Sequence, residues 1–307
     1  MRLLFFVLCL LLVAISASAP PLQPGSYAKS CPNAELIVRD VMKKAMIRKP
    51  RSGASVMRLQ FHDCFVNVVT GRCCWMILRP CLGRNSLYII IFASRDAVAL
   101  SGGPHWEVKL GRKDSLTASQ KDSDDITPSP RANASSLIDL FAKFDLSVKD
   151  LVSLSGSHSI GNGRCFSVVF RLYNHSGTGC PDPTIEPKFR QKLDKLCPLG
   201  GDGNVTGDLD FTPHVFDNQY FKDLVNGRGF LNSDETLFTF PETRGYVRRY
   251  SEDESEFFRD FVDGMIMMGD LQSGRPGEIR RNCRVVNDPP PVKVVVRGFQ
   301  DRKILSR

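Results

Sequence analysis

Two histidines lie in segments whose residue types and spacing could do chemistry. In the segment Arg58-Leu-Gln-Phe-His62, an arginine and a histidine are four residues apart, so a helix would place them on one face. A neutral imidazole beside a fixed guanidinium combines a general base with a group that stabilises developing negative charge. The segment alone does not decide between this chemistry and core packing, since a histidine in an apolar helix is more often simply packed.

The second histidine, His158, follows an apolar helical segment and lies among small residues between Gly156 and Gly161. Small side chains leave room for a flat ligand to approach the imidazole. Farther along the chain, Asp234 could accept a hydrogen bond from the far ring nitrogen of a metal-bound His158, which would fix its tautomer and make it a stronger electron donor. His158 is therefore a candidate ligand for the metal of a flat cofactor.

The elements that must position these residues are predominantly helical. Apolar residues recur at helical spacing in segments 32–46, 53–65, 135–144, 148–154, 186–196, 216–224 and 255–268, whereas strand-like alternation is sparse. Loops with proline and glycine separate these segments. Because no linker-like stretch divides the middle of the chain, the sequence predicts one mainly α domain.

The N-terminus and the charge indicate a secreted, basic protein. Arg2 precedes an apolar run, and Ala17-Ser-Ala19 completes a cleavable signal peptide over residues 1–19. No later stretch is long and apolar enough to predict a membrane span. A net charge of +8 favours acidic polysaccharide as a polyanionic partner. Nucleic acid is disfavoured, because no basic stripe is interleaved with aromatic residues. Three Asn-x-Ser/Thr triplets fit a glycoprotein: Asn133, Asn174 and Asn204.

Five motifs follow one another along the chain: R-L-x-F-H-D-C-F-V, L-S-G-x-H-S-I-G-x-x-R-C, T-P-x-x-F-D-N-x-Y, S-D-x-x-L and I-R-x-N-C-R-x-V-N. Together they resemble the class III plant secretory peroxidases. The resemblance implies a mainly α haem-peroxidase fold, with haem b between a distal and a proximal helical half. It also implies a monomer, secreted to the cell wall or alternatively sent to the vacuole. Such a protein reduces hydrogen peroxide and oxidises phenolic donors by one-electron steps.

The resemblance implies a role for each matching residue. His158 corresponds to the proximal iron ligand and Asp234 to its hydrogen-bond partner. His62 corresponds to the distal base, which takes a proton from hydrogen peroxide and returns it to the departing oxygen. Arg58 corresponds to the group that stabilises negative charge as the O–O bond breaks. Two further positions, the wall of the distal pocket and the carbonyl that helps to hold aromatic donors, correspond to Phe61 and Pro128.

Calcium and disulfide positions are also implied by the resemblance. A disulfide is expected between Cys165 and Cys197. For the distal calcium, only Asp63 and Val66 match the family pattern. The proximal calcium would take oxygen atoms from Ser159, Asp210, Thr212, Val215 and Asp217.

One block of the sequence departs from the family pattern. The peroxidase domain is expected over residues 20–287 and a C-terminal extension over 288–307, but segment 68–92 is aberrant or partly deleted. It lacks the remaining distal calcium ligands, the asparagine that orients His62, and the cysteines expected to pair with Cys31, Cys64 and Cys283. Cys64 could instead pair with Cys73 or Cys74. Because losing a disulfide typically costs about 2–5 kcal/mol, the alternative hypothesis is a catalytically impaired or misfolded chain derived from a peroxidase.

Overall fold

The computed structural model of the protein describes residues 22–25, 31–65, 86–110, 114–116, 124–271, 277–278 and 287. The predicted signal peptide, the C-terminal extension, Val66 and residues 68–85 of the divergent segment lie outside this part of the chain. Within it, no helix combines the length and the apolar character that crossing a membrane requires.

Helices dominate the structure. The α-helices are α1 (Ala34–Arg48), α2 (Ser52–Phe65), α3 (Ser86–Leu100), α4 (Ala134–Ala142), α5 (Val148–Ser155), α6 (Val169–Tyr173), α7 (Pro187–Leu196), α8 (Gln219–Val225), α9 (Asn232–Thr239), α10 (Pro241–Glu252) and α11 (Glu254–Asp270). The strands are short: β1 (Asp114–Ser115) pairs antiparallel with β4 (Gly277–Glu278), and β2 (Asn162–Arg164) pairs antiparallel with β3 (Thr206–Asp208). This architecture confirms the mainly α prediction.

The helix α3 packs against both α1 and α2. Its residues 89–92 are all buried, which is typical of a helix that is apolar on every side. The sequence pattern does not reveal this helix, because a continuous apolar run carries no helical periodicity. The last residues of segment 68–92 therefore belong to the core, where they support the helix that carries Arg58 and His62.

A second, smaller core surrounds the disulfide between Cys165 and Cys197. The bond joins the segment after β2 to the C-terminal end of α7, and it confirms the predicted pair. Both cysteines are buried beside Val168, Leu172 and Leu193. The disulfide thus fixes the chain close to the turn that bears His158.

Replacing Cys165 and Cys197 together by alanine is expected to lower the free energy of unfolding by about 2–4 kcal/mol. The physical reason is that the bond spans a sequence separation of 32 and restricts the unfolded chain. Urea unfolding followed by circular dichroism measures the change. The matched control is Cys180→Ala, because Cys180 is exposed and forms no disulfide. A double variant as stable as this control would contradict the prediction.

Candidate active site

The helix α2 places Arg58 and His62 on one face, as the four-residue spacing predicts. Arg58 Nε donates to His62 Nε2 over 3.2 Å. Partial burial of His62, and secondly the charge of Arg58, lower the pKa of the imidazole below its ordinary value. The ring is therefore neutral at pH values where an ordinary histidine begins to gain a proton, and neutrality is the state that a general base requires.

Thr127 lies against the other nitrogen of the same ring. Its Oγ1 is 3.4 Å from His62 Nδ1. Since Arg58 donates to Nε2, the hydrogen of the neutral ring is on Nδ1, where Thr127 can accept it. No sequence pattern points to Thr127 as a residue that orients His62. It is distant in the chain and belongs to none of the recognised motifs. Phe61 meets the His62 ring edge-on, with 5.8 Å between ring centroids.

The turn that carries His158 is positioned by local signals in the sequence. The helix α5 begins with a capping box, in which Ser147 and Asp150 each satisfy the other's backbone N–H. It ends at a 3₁₀ turn, Gly156–Ser159. A Cβ atom at Gly156 would lie only 2.5 Å from the Phe257 ring, so a glycine is needed there. The α-helix thus ends at Ser155, and His158 lies within the 3₁₀ turn that packs against Phe257.

His158 is paired with Asp234, which is brought to it from 76 residues away. Nδ1 of the imidazole lies 2.8 Å from Oδ1 of the carboxylate. Because a carboxylate only accepts, Nδ1 carries the hydrogen and Nε2 keeps its lone pair. Desolvation by the surrounding protein opposes a charge on His158, but the charge of Asp234 and its hydrogen bond raise the pKa overall.

The environment of His158 suits a ligand. Although Asp234 holds the ring, 37% of the His158 side-chain surface is accessible, so the imidazole is not packed in the core. Asp234 beneath it is 1% exposed. The lone pair on Nε2 is therefore available to a metal, with the orientation of the ring already fixed.

Tyr220 is a further member of this group that the sequence analysis missed. Its hydroxyl donates to Asp234 Oδ1 over 3.1 Å, and this oxygen also accepts from His158. The backbone N–H of Leu231 donates to Oδ2 over 3.1 Å. Both oxygens of the carboxylate are thus held, which locks its orientation. The available signal was that Tyr220 closes the T-P-x-x-F-D-N-x-Y motif.

A buried arginine holds the loop that leads into α9. Arg171 Nε lies 2.6 Å from Asp182 Oδ2, and Nη1 donates to the Gly229 carbonyl. Glu235 Oε2 accepts from Gly229 N over 2.9 Å and lies 3.5 Å from Arg171 Nη2. Burial is the main cause that raises the pKa of Glu235 to about 7, although the charge of Arg171 opposes it. Because Glu235 follows Asp234 directly, this cluster helps to position the partner of His158.

The structure brings together the residues predicted for the proximal calcium. Ser159 Oγ donates to the Val215 carbonyl over 3.1 Å and lies 2.9 Å from the Asp217 carbonyl. Thr212 Oγ1 donates to Asp217 Oδ1 over 3.0 Å, and Thr212 N donates to Asp210 Oδ1 over 2.9 Å. Burial, and then the charges of neighbouring carboxylates, raise the pKa of Asp210 to about 8. A cation among these oxygens would offset both effects.

The donor set favours calcium over a transition metal. In the part of the chain that the structure describes, no cluster of three or more His, Cys, Asp or Glu side chains could hold a metal. Around Asp210 and Asp217, hydroxyl oxygens of Ser159 and Thr212 and backbone carbonyl oxygens lie within hydrogen-bond distance. Hard oxygen ligands of mixed type are what calcium takes in proteins.

The remaining predicted residues are only partly tested by the structure. Asp63 is buried on α2, but Val66 lies outside the described residues, so the distal calcium stays a prediction. Pro128 directly follows Thr127, which places it next to the residue that contacts His62. Cys64 is buried at the end of α2, while Cys73 and Cys74 lie outside the described residues.

The two histidine groups lie close together. The helix α2 contacts the 3₁₀ turn of His158, and the charge of Arg58 reaches His158, where it opposes the overall rise in the pKa of that imidazole. The approach is close, since a Cβ atom at Gly161 would lie 2.7 Å from that of Ala54 on α2. Gly161 also has φ +110°, a conformation that residues with a side chain rarely adopt. The structure thus brings the Arg58–His62 pair near the turn that carries His158, which is hydrogen-bonded to Asp234.

Comparison with known proteins identifies the family. The family model described as Peroxidase matches residues 88–253. Peroxidase 17 of Arabidopsis thaliana is 61% identical over 92% of this chain and 96% of its own length. Peroxidase N of Armoracia rusticana is 41% identical over 92% and 95% of the two chains. This likeness favours a working enzyme over an impaired derivative. The chain belongs to the class III plant peroxidases, haem-dependent oxidoreductases that act on hydrogen peroxide.

Proposed function

We propose that this peroxidase is secreted and oxidises phenolic donors by one-electron steps at the expense of hydrogen peroxide. The observation that carries the proposal is the proximity of two groups: Arg58 hydrogen-bonded to His62 on α2, and His158 hydrogen-bonded through Nδ1 to Asp234 on the turn that α2 contacts. Phenolic donors fit because Pro128 lies beside this region on the Thr127 segment. We further propose that the protein is a monomer, and that its basic charge attracts acidic cell-wall polysaccharide.

Haem b would be held by His158 Nε2, and the iron would supply the electron transfer that the side chains cannot. The role of Asp234 is to accept the Nδ1 hydrogen and so keep the lone pair of His158 directed at the metal. The lone pair of His62 Nε2 accepts from Arg58 in this structure, and it would take one proton from hydrogen peroxide when the guanidinium turns toward the peroxide. The same atom then returns the proton to the departing oxygen, which leaves as water.

Arg58 contributes charge and not proton transfer. Its guanidinium is held beside His62 Nε2, where negative charge develops on peroxide oxygen as the O–O bond breaks. Complete reduction of hydrogen peroxide to two waters takes two electrons and two protons. Two phenol molecules would supply one electron and one proton each, which convert the second peroxide oxygen to water and leave two phenoxyl radicals. Thr127 would hold the His62 ring during both proton movements.

Calcium would occupy the proximal oxygen cluster, held by Ser159, Asp210, Thr212, Val215 and Asp217. Its structural consequence would be to fix the segment between Ser159 and α8. That segment joins the turn of His158 to Tyr220, so the ion would support both partners of Asp234. The distal calcium is proposed only for Asp63 and Val66, since the other family ligands are absent from the sequence.

A haem titration of the purified chain tests the proposal. We expect a Soret band that saturates at one haem per chain, followed by oxidation of guaiacol that requires hydrogen peroxide. His158→Gly should lose the ligated spectrum and recover it when free imidazole is added. A Soret band without guaiacol oxidation would contradict the distal roles, and a chain that binds no haem would overturn the proposal altogether.

A further inference from the structure

Arg131 is an exposed cation that stacks on aromatic rings near the predicted donor site. Its guanidinium carbon lies 4.8 Å from the centroid of the Phe170 ring and 5.8 Å from that of Phe166. Phe166 is 61% exposed, which is unusual for a large apolar side chain beside a packed core. Within the described part of the chain, Arg131 forms no ion pair, so its charge lacks a counter-ion.

The segment that carries Arg131 starts at the catalytic region. Its inner end is Thr127, whose hydroxyl is 3.4 Å from His62. Pro128 follows, and Arg131 lies at the outer end, three residues farther. A molecule bound at Arg131 and Phe166 would thus lie along the same segment as one approaching the predicted donor position at Pro128.

The backbone of Arg131 and that of Phe166 are both held by hydrogen bonds to other segments. The Arg131 carbonyl accepts from Asn232 Nδ2 over 3.2 Å, and the Pro130 carbonyl accepts from Ser233 N over 3.2 Å. Phe166 follows the disulfide-bonded Cys165, and its N–H donates to the Gly203 carbonyl over 3.0 Å. Because the backbone that carries Arg131 and Phe166 is already ordered, little backbone entropy is lost when a ligand binds to these two side chains.

We propose that Arg131 and Phe166 select phenolic donors that carry a carboxylate, such as hydroxycinnamates. This inference rests on the proposed function and adds the substrate class to it. The guanidinium can pair with the carboxylate through two parallel N–H···O bonds, while the donor's ring lies against Phe166. Other aromatic anions share these features, and the phenol is the electron donor that the proposed function assigns to this enzyme.

The test compares two donors that differ only at the side-chain end, ferulate and coniferyl alcohol. With the haem-loaded enzyme, dissociation constants are measured from the change in Soret absorbance without peroxide, and KM values with peroxide. We expect ferulate to bind about threefold to fivefold more tightly than the alcohol, because an exposed ion pair contributes a modest free energy. The preference should decrease as salt increases.

Arg131→Gln should abolish the preference by weakening ferulate binding and leaving coniferyl alcohol unchanged. The matched control is Arg248→Gln, since Arg248 is also an exposed arginine, 5.8 Å from the centroid of a phenylalanine ring. If Arg131→Gln and Arg248→Gln give the same ratio of the two dissociation constants, the inference is wrong and the proposed function stands. If neither donor is oxidised by the haem-loaded enzyme, the proposed function fails and the inference fails with it.

Discussion

Replacing His62 by alanine is expected to slow the reaction of the haem-loaded enzyme with hydrogen peroxide by about 10²–10⁴-fold. The physical reason is that the variant keeps Arg58 and the iron ligand but has no atom that can take the peroxide proton and return it. Stopped-flow measurement of the second-order rate constant with peroxide tests this. The Soret absorbance should be retained, because His158 is unaltered.

The pH dependence of the same rate constant provides a second test. Partial burial and Arg58 lower the pKa of His62, so the base stays neutral below the ordinary histidine value of about 6.5. In the wild type, the rate constant with peroxide should therefore stay nearly constant from neutral pH down to about pH 6.5. It should fall only at lower pH, where His62 becomes protonated. The alanine variant should lack this fall.

The control for both measurements is His105→Ala, because His105 is exposed and outside the site. It should react with peroxide at the wild-type rate and with the wild-type pH profile. A general base contributes about 10²–10⁴-fold to the rate. If the rate constant of His62→Ala were within about threefold of the control, another group would have to move the proton.

Replacing Asp234 by asparagine is expected to lower activity or haem affinity by about 10–100-fold, the range found for partners of metal-bound histidines. The amide no longer carries the negative charge that makes His158 electron-donating. We therefore expect the reduction potential of the iron to rise and the iron–histidine stretching frequency to fall. Spectroelectrochemistry and resonance Raman spectroscopy measure these two quantities.

Tyr220→Phe should shift both quantities in the opposite direction. The Tyr220 hydroxyl and His158 Nδ1 share Asp234 Oδ1, so removing the hydroxyl leaves more of the negative charge for the histidine. With a net hydrogen-bond free energy of about 0.5–1.5 kcal/mol, the potential should fall by about 20–60 mV. Tyr246→Phe, at a half-buried tyrosine on α10, is the control. If Asp234→Asn and Tyr220→Phe shifted the reduction potential in the same direction, this account would be contradicted.

Sequence periodicity was sufficient where a helix has one apolar face. The predicted segments 53–65 and 148–154 correspond to α2 and α5, the two helices that position His62 and His158. Periodicity failed for α3, in which residues 89–98 are all buried, and for α6, α9 and α10. The helix α9 has a local cap from Asp234 to the Leu231 N–H, but the loop before it is held by Arg171, which lies 58 residues away in the chain from Gly229 and which a local pattern cannot encode.

By itself, the sequence determined the mainly α class, singled out His62 and His158 as candidates for chemistry, and showed the order of the motifs that carry them. Spacing was enough for Arg58 and His62, because four residues make one helical turn. Only the tertiary structure brought His158 to Asp234, Thr127 to His62 and Tyr220 to the same carboxylate. These contacts join residues from separate helices and loops, and their geometry depends on how the helices pack and not on any local preference.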